Sequence, residues 1–213
     1  MTDRASVQVL DAPTGGPAQG HTRSTFLRRT AVAGGALAAS GAVMSTLPGF
    51  AFGAVGAEQD VEVLNFALTL EYLEAEFYTV AEKNNFLMGE AAEFAKVVGA
   101  HEREHVATLE TVLGDKKVKK PTFNFGNAVT DQATFLATAI VLEDTGVSAY
   151  NGQAPRVTKP VLAVAASIVS VEARHAAWVR DIVYKRPAPV AFDQAKTMDE
   201  ILAAVKATGF ITG

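Results

Sequence analysis

Apolar side chains recur every three or four positions through four long segments of this chain, which is the period of an α-helix with one buried face. The segments cover approximately residues 60–83, 89–113, 130–152 and 161–185. No stretch has the strict alternation of apolar and polar residues that is typical of a half-buried strand. The pattern therefore predicts an all-α fold.

Residues that cap or end helices stand at the borders of these segments. Asn85 ends the first segment, Gly114 ends the second, and Asp131 offers a side-chain cap to the third. Thr197 and Glu200 have the spacing of a capping box, which predicts a short last helix that ends near residue 208.

The lengths of the connections predict how the helices are arranged. The first and third connections are short, so the helices that each of them joins should be antiparallel neighbours. The connection over residues 114–129 is longer and allows the chain to cross along the bundle. The expected architecture is a four-helix bundle with a crossover between its second and third helices and a short C-terminal helix.

One arrangement of acidic, aromatic and imidazole side chains occurs twice, and the two copies are about seventy residues apart. In each copy a lone glutamate is followed by a tyrosine seven positions later, and then by Glu-x-x-His on the next helix. The two copies are Glu71, Tyr78, Glu102 and His105, and Glu143, Tyr150, Glu172 and His175. All eight residues lie on the apolar faces of their predicted helices, because their spacing from apolar neighbours is three or four.

Hairpin geometry places each lone glutamate level with the Glu-x-x-His of its own copy. In an antiparallel helix pair, residues equally far from the turn lie level with each other. The midpoint between Glu71 and Glu102 falls in the first connection, and the midpoint between Glu143 and Glu172 falls in the third. At 1.5 Å per residue each glutamate lies about 20–24 Å from its turn. The side chains should therefore meet near the middle of the bundle.

Carboxylates and imidazoles in this number are the ligand set of a dinuclear metal site in a four-helix bundle. The predicted metal ligands are Glu71, Glu102, His105, Glu143, Glu172 and His175. Buried carboxylates without compensating charge are very unfavourable, whereas two divalent ions per chain would balance them. These ligands suit iron or manganese, and iron is the first choice. Glu102 and Glu172 should bridge the ions, while Tyr78 and Tyr150 should support the ligands by hydrogen bonds, with plain core packing as their alternative role.

Other polar residues on the same helices have different interpretations. Four glutamates without a counterpart in the second copy should face solvent: Glu74, Glu76, Glu104 and Glu110. His101, Glu102 and His105 also spell His-Glu-x-x-His, the helix motif of zinc metalloproteases. That minor alternative leaves the second copy unexplained, because Val171 stands where the second copy would need a histidine.

Composition and the N-terminal segment bear on location. A net charge of −4 with 20% charged residues gives no indication of nucleic-acid binding. In residues 1–57, Arg28 and Arg29 precede a mild apolar run and then small residues, which is the order of an export signal. The run is too short and too weakly hydrophobic for a stable membrane span, so we expect no such span after signal cleavage. We therefore predict that residues 58–213 are the folded domain and reach the periplasm or the extracellular space by a twin-arginine route, with an uncleaved N-terminal anchor as the alternative.

Residues 60–185 resemble the ferritin-like superfamily, in which bacterioferritins and rubrerythrins carry the same duplicated ligand pattern. The stretch from Leu64 to Tyr78 is similar to exported ferritin-like proteins related to desiccation-related proteins. The resemblance implies a ferritin-like bundle and oxidoreductase chemistry with dioxygen or peroxide, either ferroxidase-like or, with manganese, catalase-like. A non-catalytic stress or desiccation-related protein with a structural metal centre is the alternative. The sequence leaves open a homo-oligomer, including a cage that stores metal.

Overall fold

Four long α-helices and a short fifth one account for most of residues 58–213, the part of the chain that the computed structural model describes. The helices are α1 (Glu58–Asn84), α2 (Glu90–Leu113), α3 (Gln132–Gln153), α4 (Lys159–Ile182) and α5 (Met198–Thr208). Extended pairing among these residues is limited to an isolated bridge between Phe123 and Ile211. The all-α prediction is therefore confirmed, and each long helix lies within a few residues of its predicted bounds.

Local side-chain chemistry fixes the helix ends where the sequence indicated it. Asp131 accepts a hydrogen bond from the backbone N–H of Thr134 at 2.8 Å, which caps the start of α3. Thr197 and Glu200 form the predicted capping box at the start of α5. That helix ends at Gly209, whose φ of 68° is left-handed and therefore favours glycine.

A contact that the local sequence does not predict joins the start of α4 to the start of α1. The backbone N–H of Thr158 donates to Oδ1 of Asp60 at 2.9 Å, and the Thr158 hydroxyl donates to Oδ2 at 2.6 Å. Asp60 is buried, so this cap is shielded from water. The carboxylate of α1 thus satisfies the backbone N–H and the hydroxyl of the residue that precedes α4, which ties the start of α4 to the start of α1.

The long second connection runs along the bundle beside α1, as the crossover prediction requires. Near its start, the Asn65 side chain donates to the Lys116 carbonyl at 2.9 Å. Near its end, the Asn84 side chain donates to the Val129 carbonyl at 2.8 Å. Asn65 and Asn84 lie toward opposite ends of α1, so the connection spans most of the length of that helix. The crossover is therefore confirmed.

Two apolar clusters fill the bundle on either side of its middle. One contains Phe77 and Phe135, whose rings stack with centroids 5.0 Å apart. The other contains Leu68, Leu109 and Ile168. On α2 the first cluster lies before Glu102 and the second lies after His105, and on α4 the second cluster lies before Glu172 and the first lies after His175. The predicted ligands therefore lie between two layers of packed apolar side chains.

The length and apolar composition of α4 bear on whether the chain could cross a membrane. Within residues 58–213, α4 is the helix that is long and apolar enough to cross a membrane by length and composition. In the structure α4 is a bundle helix, and its buried positions include Glu172 and His175. The predicted export signal in residues 1–57 lies outside the described residues and stays a prediction.

Candidate metal centre

The six predicted ligands come together from all four long helices. The residues form two groups, in which each member offers one nitrogen or oxygen atom and these atoms lie within 4.8 Å of one another. The groups are Glu71, Glu102, His105 and Glu172, and Glu102, Glu143, Glu172 and His175. Glu102 and Glu172 belong to both groups. The arrangement therefore has two adjacent sites that share two carboxylates.

All four of these carboxylates are removed from solvent. Glu71 is 1% exposed, while Glu102, Glu143 and Glu172 are 0% exposed. The histidines close the same space, since His175 is 3% exposed and the His105 side chain is 12% exposed. Such a concentration of buried acid is unfavourable unless cations or protons compensate it.

Glu102 lies between the two histidines. Its Oε2 atom is 3.2 Å from Nδ1 of His105, and its Oε1 atom is 3.1 Å from Nδ1 of His175. Each oxygen of this carboxylate therefore belongs to a different site. This is the placement that a bridging carboxylate requires.

The surroundings of His105 have the spacing of a metal coordination shell. Its Nδ1 atom lies 3.3 Å from Glu71, 3.2 Å from Glu102 and 3.0 Å from Glu172, measured to one oxygen of each. One nitrogen carries at most one proton, so it can donate to only one of the three oxygens. Neighbouring donors around an octahedral ion with bonds of about 2.1 Å are about 3.0 Å apart. The three contacts therefore match the edges of a coordination polyhedron.

Four buried oxygens of this cluster make no hydrogen bond of good geometry among the described residues, although a histidine nitrogen lies 3.0–3.3 Å from three of them. The four oxygens are Glu71 Oε2, Glu102 Oε1 and both oxygens of Glu172. Unpaired buried oxygens are rare in folded proteins, because each one loses its interaction with water without replacement. The four atoms belong to residues of the two donor groups. The donor set and its unpaired atoms thus fit divalent cations such as iron or manganese.

Tyr78 and Tyr150 bind the carboxylates of the opposite copy. The Tyr78 hydroxyl donates to Glu143 Oε1, and the Tyr150 hydroxyl donates to Glu71 Oε1. The pairing also shows that α1 and α3 are antiparallel, because higher numbers on one helix meet lower numbers on the other. Each tyrosine holds one oxygen of a carboxylate and leaves the other oxygen for the centre.

Burial and the neighbouring charges raise the pKa of two glutamates and one histidine of the centre. Burial raises the pKa of Glu102 to about 7, although hydrogen bonds from His105 and His175 oppose the increase. Burial and the charge of Glu102 raise the pKa of Glu172 well above its ordinary value. For His175, burial alone would lower the pKa, but Glu102 and Glu143 raise it to about 9. Metal ions must therefore displace protons when they bind.

Glu74 was expected to face solvent, and this prediction is wrong. Its side chain is 3% exposed. Burial, followed by the charges of Glu172 and Glu102, raises its pKa well above the ordinary range. The signal was present in the sequence, because Glu74 is flanked at three and four positions by Leu70, Glu71, Phe77 and Tyr78, all of which face the interior. The absence of a counterpart in the second copy led to the wrong prediction.

The other three glutamates without a counterpart in the second copy lie near the protein surface. Glu104 is exposed. Glu76 forms an ion pair with Lys120, and Glu110 forms one with Lys117. These residues take no part in the buried cluster.

His101 lies beside the centre in a position that the sequence did not indicate. Its Nδ1 atom is 2.9 Å from Nε2 of His175, and the two rings stack with centroids 5.1 Å apart. His175 therefore has a hydrogen-bond partner behind it while its Nδ1 atom faces the carboxylates. His101 belongs to neither donor group, and Glu102 is buried between both. This arrangement favours the dinuclear interpretation over the protease, which would need His101 and His105 on one ion.

Comparison with known proteins agrees with the architecture. A family model described as ferritin-like domain matches residues 59–185, which extend from the first turn of α1 past the end of α4. A search of curated proteins found no match. The matched region is more than half of the chain and contains all six predicted ligands. The chain therefore belongs to the ferritin-like domain family.

Proposed function

We propose that this chain is an exported dinuclear metal protein that uses iron or manganese for oxidoreductase chemistry with dioxygen or peroxide. The observation that carries the proposal is the pair of donor groups that share Glu102 and Glu172. Sharing brings two ions close together, which suits a reaction that removes or supplies two electrons. Carboxylate and imidazole donors with no thiolate suit iron and manganese more than softer metals.

The six donors divide into terminal and shared ligands. Glu71 and His105 would hold one ion, and Glu143 and His175 would hold the other. Glu102 and Glu172 would bind both. When bound, iron or manganese supplies the electron transfer to dioxygen or peroxide that amino-acid side chains do not supply.

The protein's own contribution is orientation and shielding. Tyr78 and Tyr150 each hold one oxygen of a terminal glutamate, so the remaining oxygen points into the centre. The apolar clusters on both sides exclude water and strengthen the electrostatic attraction between the carboxylates and the ions. Protons bound to His175 and Glu102 would be released when metal binds.

A second candidate function is a structural centre in a stress or desiccation-related protein. The depth of the site favours it, because carboxylates that are 0–1% exposed leave little room for a bulky substrate. Dioxygen and peroxide are small enough that burial alone does not separate the two functions. Metal that binds only the folded state would then serve to stabilise the bundle.

Metal content and turnover decide between these functions. The purified protein is loaded with Fe²⁺ in the absence of air or with Mn²⁺, and dioxygen consumption and peroxide removal are then measured. We expect two ions per chain and turnover with at least one oxidant. The Glu102→Gln, Glu172→Gln double variant should lose both, whereas Glu76→Gln, whose partner is the surface residue Lys120, should retain both. Two bound ions without turnover would support the structural centre, and no bound metal would refute both functions.

Export is a separate part of the proposal and has its own test. The order of charged, apolar and small residues in 1–57 supports it. Fractionation of cells that express the full chain should place the shortened protein outside the cytoplasm. A variant with both Arg28 and Arg29 changed to lysine should stay inside if the twin-arginine route is used. Full-length protein in the cytoplasm in both cases would contradict export.

A further inference from the structure

Glu74 is a buried carboxylate that the six-residue centre does not use. It lies on α1, one helical turn after Glu71, and is 3% exposed. Its carboxylate lies outside both donor groups. Burial of a fifth acid next to four others is costly, so its position calls for a compensating charge nearby.

The height of Glu74 in the bundle is midway between the two sites. The tyrosine contacts place Tyr78 level with Glu143, and Tyr150 level with Glu71. Glu74 lies about halfway between residues 71 and 78 on α1, and Gly146 lies about halfway between residues 143 and 150 on α3. Glu74 and Gly146 therefore face each other across the centre of the pseudo-symmetric pair.

Gly146 leaves the room that Glu74 occupies. A Cβ atom at residue 146 would lie 3.1 Å from Glu172 Oε2, and 3.5 and 3.7 Å from the two oxygens of Glu74. The absent side chain thus borders both a shared carboxylate and the fifth carboxylate. Residue 146 is also the position that corresponds to Glu74 in the second copy of the motif. The two copies differ at this point, with a carboxylate in one and open space in the other.

We propose that Glu74 is a seventh donor residue of the metal centre. Its carboxylate would bind metal beside the shared carboxylate Glu172, in the space that Gly146 leaves. Both Glu74 oxygens and Glu172 Oε2 lie within 3.7 Å of the position that a Cβ atom at residue 146 would take, so the two carboxylates border the same space. The inference rests on the proposed metal centre and deepens it. It assigns the centre five carboxylates, and it makes the two halves of an otherwise duplicated site unequal.

Titration with Co²⁺ tests this role without any turnover. The visible absorption of bound Co²⁺ depends on the number and type of its donors, and equilibrium dialysis gives the stoichiometry and affinity. We expect wild type to bind two ions. Glu74→Gln keeps the shape of the side chain and removes its charge, so at least one ion should bind about ten- to a hundredfold more weakly, with a changed absorption spectrum.

Two further variants separate ligation from a merely structural effect. Glu74→Ala should be weakened as well, and added formate, a small carboxylate, should restore part of the affinity by filling the gap. Gly146→Ala retains every donor but places a methyl group 3.1 Å from Glu172 Oε2, so it should also weaken binding. Glu76→Gln on the same helix is the matched control, because Glu76 pairs with Lys120 at the surface.

The outcomes distinguish this inference from the proposed function. If wild type binds no Co²⁺, the metal centre itself is refuted. If wild type binds two ions and Glu74→Gln binds them with the same affinity and spectrum, only the role of Glu74 is overturned. Helical content measured on each variant by circular dichroism ensures that a loss of binding is not a loss of fold.

Discussion

Metal binding should raise the stability of this bundle by an amount that the shared ligands control. A ligand that binds only the folded state at a hundred times its dissociation constant stabilises it by about 2.7 kcal/mol. Two such ions give about 5 kcal/mol. For a domain of this size that corresponds to a rise of about 10–20 °C in Tm.

Single substitutions should divide this effect according to the two donor groups. Glu71→Gln removes a ligand of one group only, so about half of the metal-induced rise in Tm should remain. Glu102→Gln affects both groups and should remove most of it, and the Glu102→Gln, Glu172→Gln double variant should remove all of it. Without metal, the glutamine variants should be no less stable than wild type, because they relieve repulsion among buried carboxylates.

Thermal unfolding followed by circular dichroism, with and without Mn²⁺, measures these shifts, and Glu76→Gln serves as the unchanged control. Equal responses of Glu71→Gln and Glu102→Gln would contradict the sharing of Glu102 by two ions. A full metal-induced rise in the double variant would place the bound metal elsewhere. Either result would refute the reasoning from the donor geometry.

Three further predictions concern the pH dependence of metal binding, the hydrogen bond of Tyr78 and the close backbone contact at Gly152. The pKa of Glu102 is about 7 and that of His175 is about 9, so protons compete with metal for these residues up to about pH 9. The affinity for Mn²⁺, measured by equilibrium dialysis, should therefore keep rising between pH 7 and 9. An affinity that stops rising just above the ordinary histidine pKa would contradict the raised pKa of His175. Tyr78→Phe leaves a buried carboxylate oxygen unpaired and should cost about 1–3 kcal/mol in urea unfolding, so no loss would argue against the hydrogen bond. Gly152→Ala would place a Cβ atom 1.7 Å from the carbonyl oxygen of Lys196, so its urea midpoint should fall markedly, and an unchanged midpoint would show that the backbone at Lys196 moves away at little cost.

The fold was predictable because its determinants repeat along the sequence. The apolar period identified each long helix, and residues such as Asp131 and Thr197 identified where helices begin. The crossover followed from the length of one connection. The contact between Asp60 and Thr158 was not predictable, because it joins residues far apart in sequence that carry no pairing signal.

The candidate centre was predictable only as far as the duplication reached. The six residues of the two donor groups share a spacing that recurs, and hairpin geometry placed each lone glutamate level with the Glu-x-x-His of its own copy. Glu74 and His101 have no counterpart in the second copy, so comparison of the copies excluded them. Their positions depend on how α1 faces α3 and how α2 faces α4, which the tertiary packing alone determines. The crossing of tyrosine contacts between the copies is likewise a property of the assembled bundle.

Anomalous X-ray scattering from crystals of the Mn²⁺-loaded protein tests the central claim most directly. The account predicts two peaks in the middle of the bundle, one among Glu71, Glu102, His105 and Glu172, and one among Glu102, Glu143, Glu172 and His175. A single peak held by His101 and His105 would contradict it in favour of the protease motif. No peak inside the bundle would show that these carboxylates are buried for a reason other than metal binding.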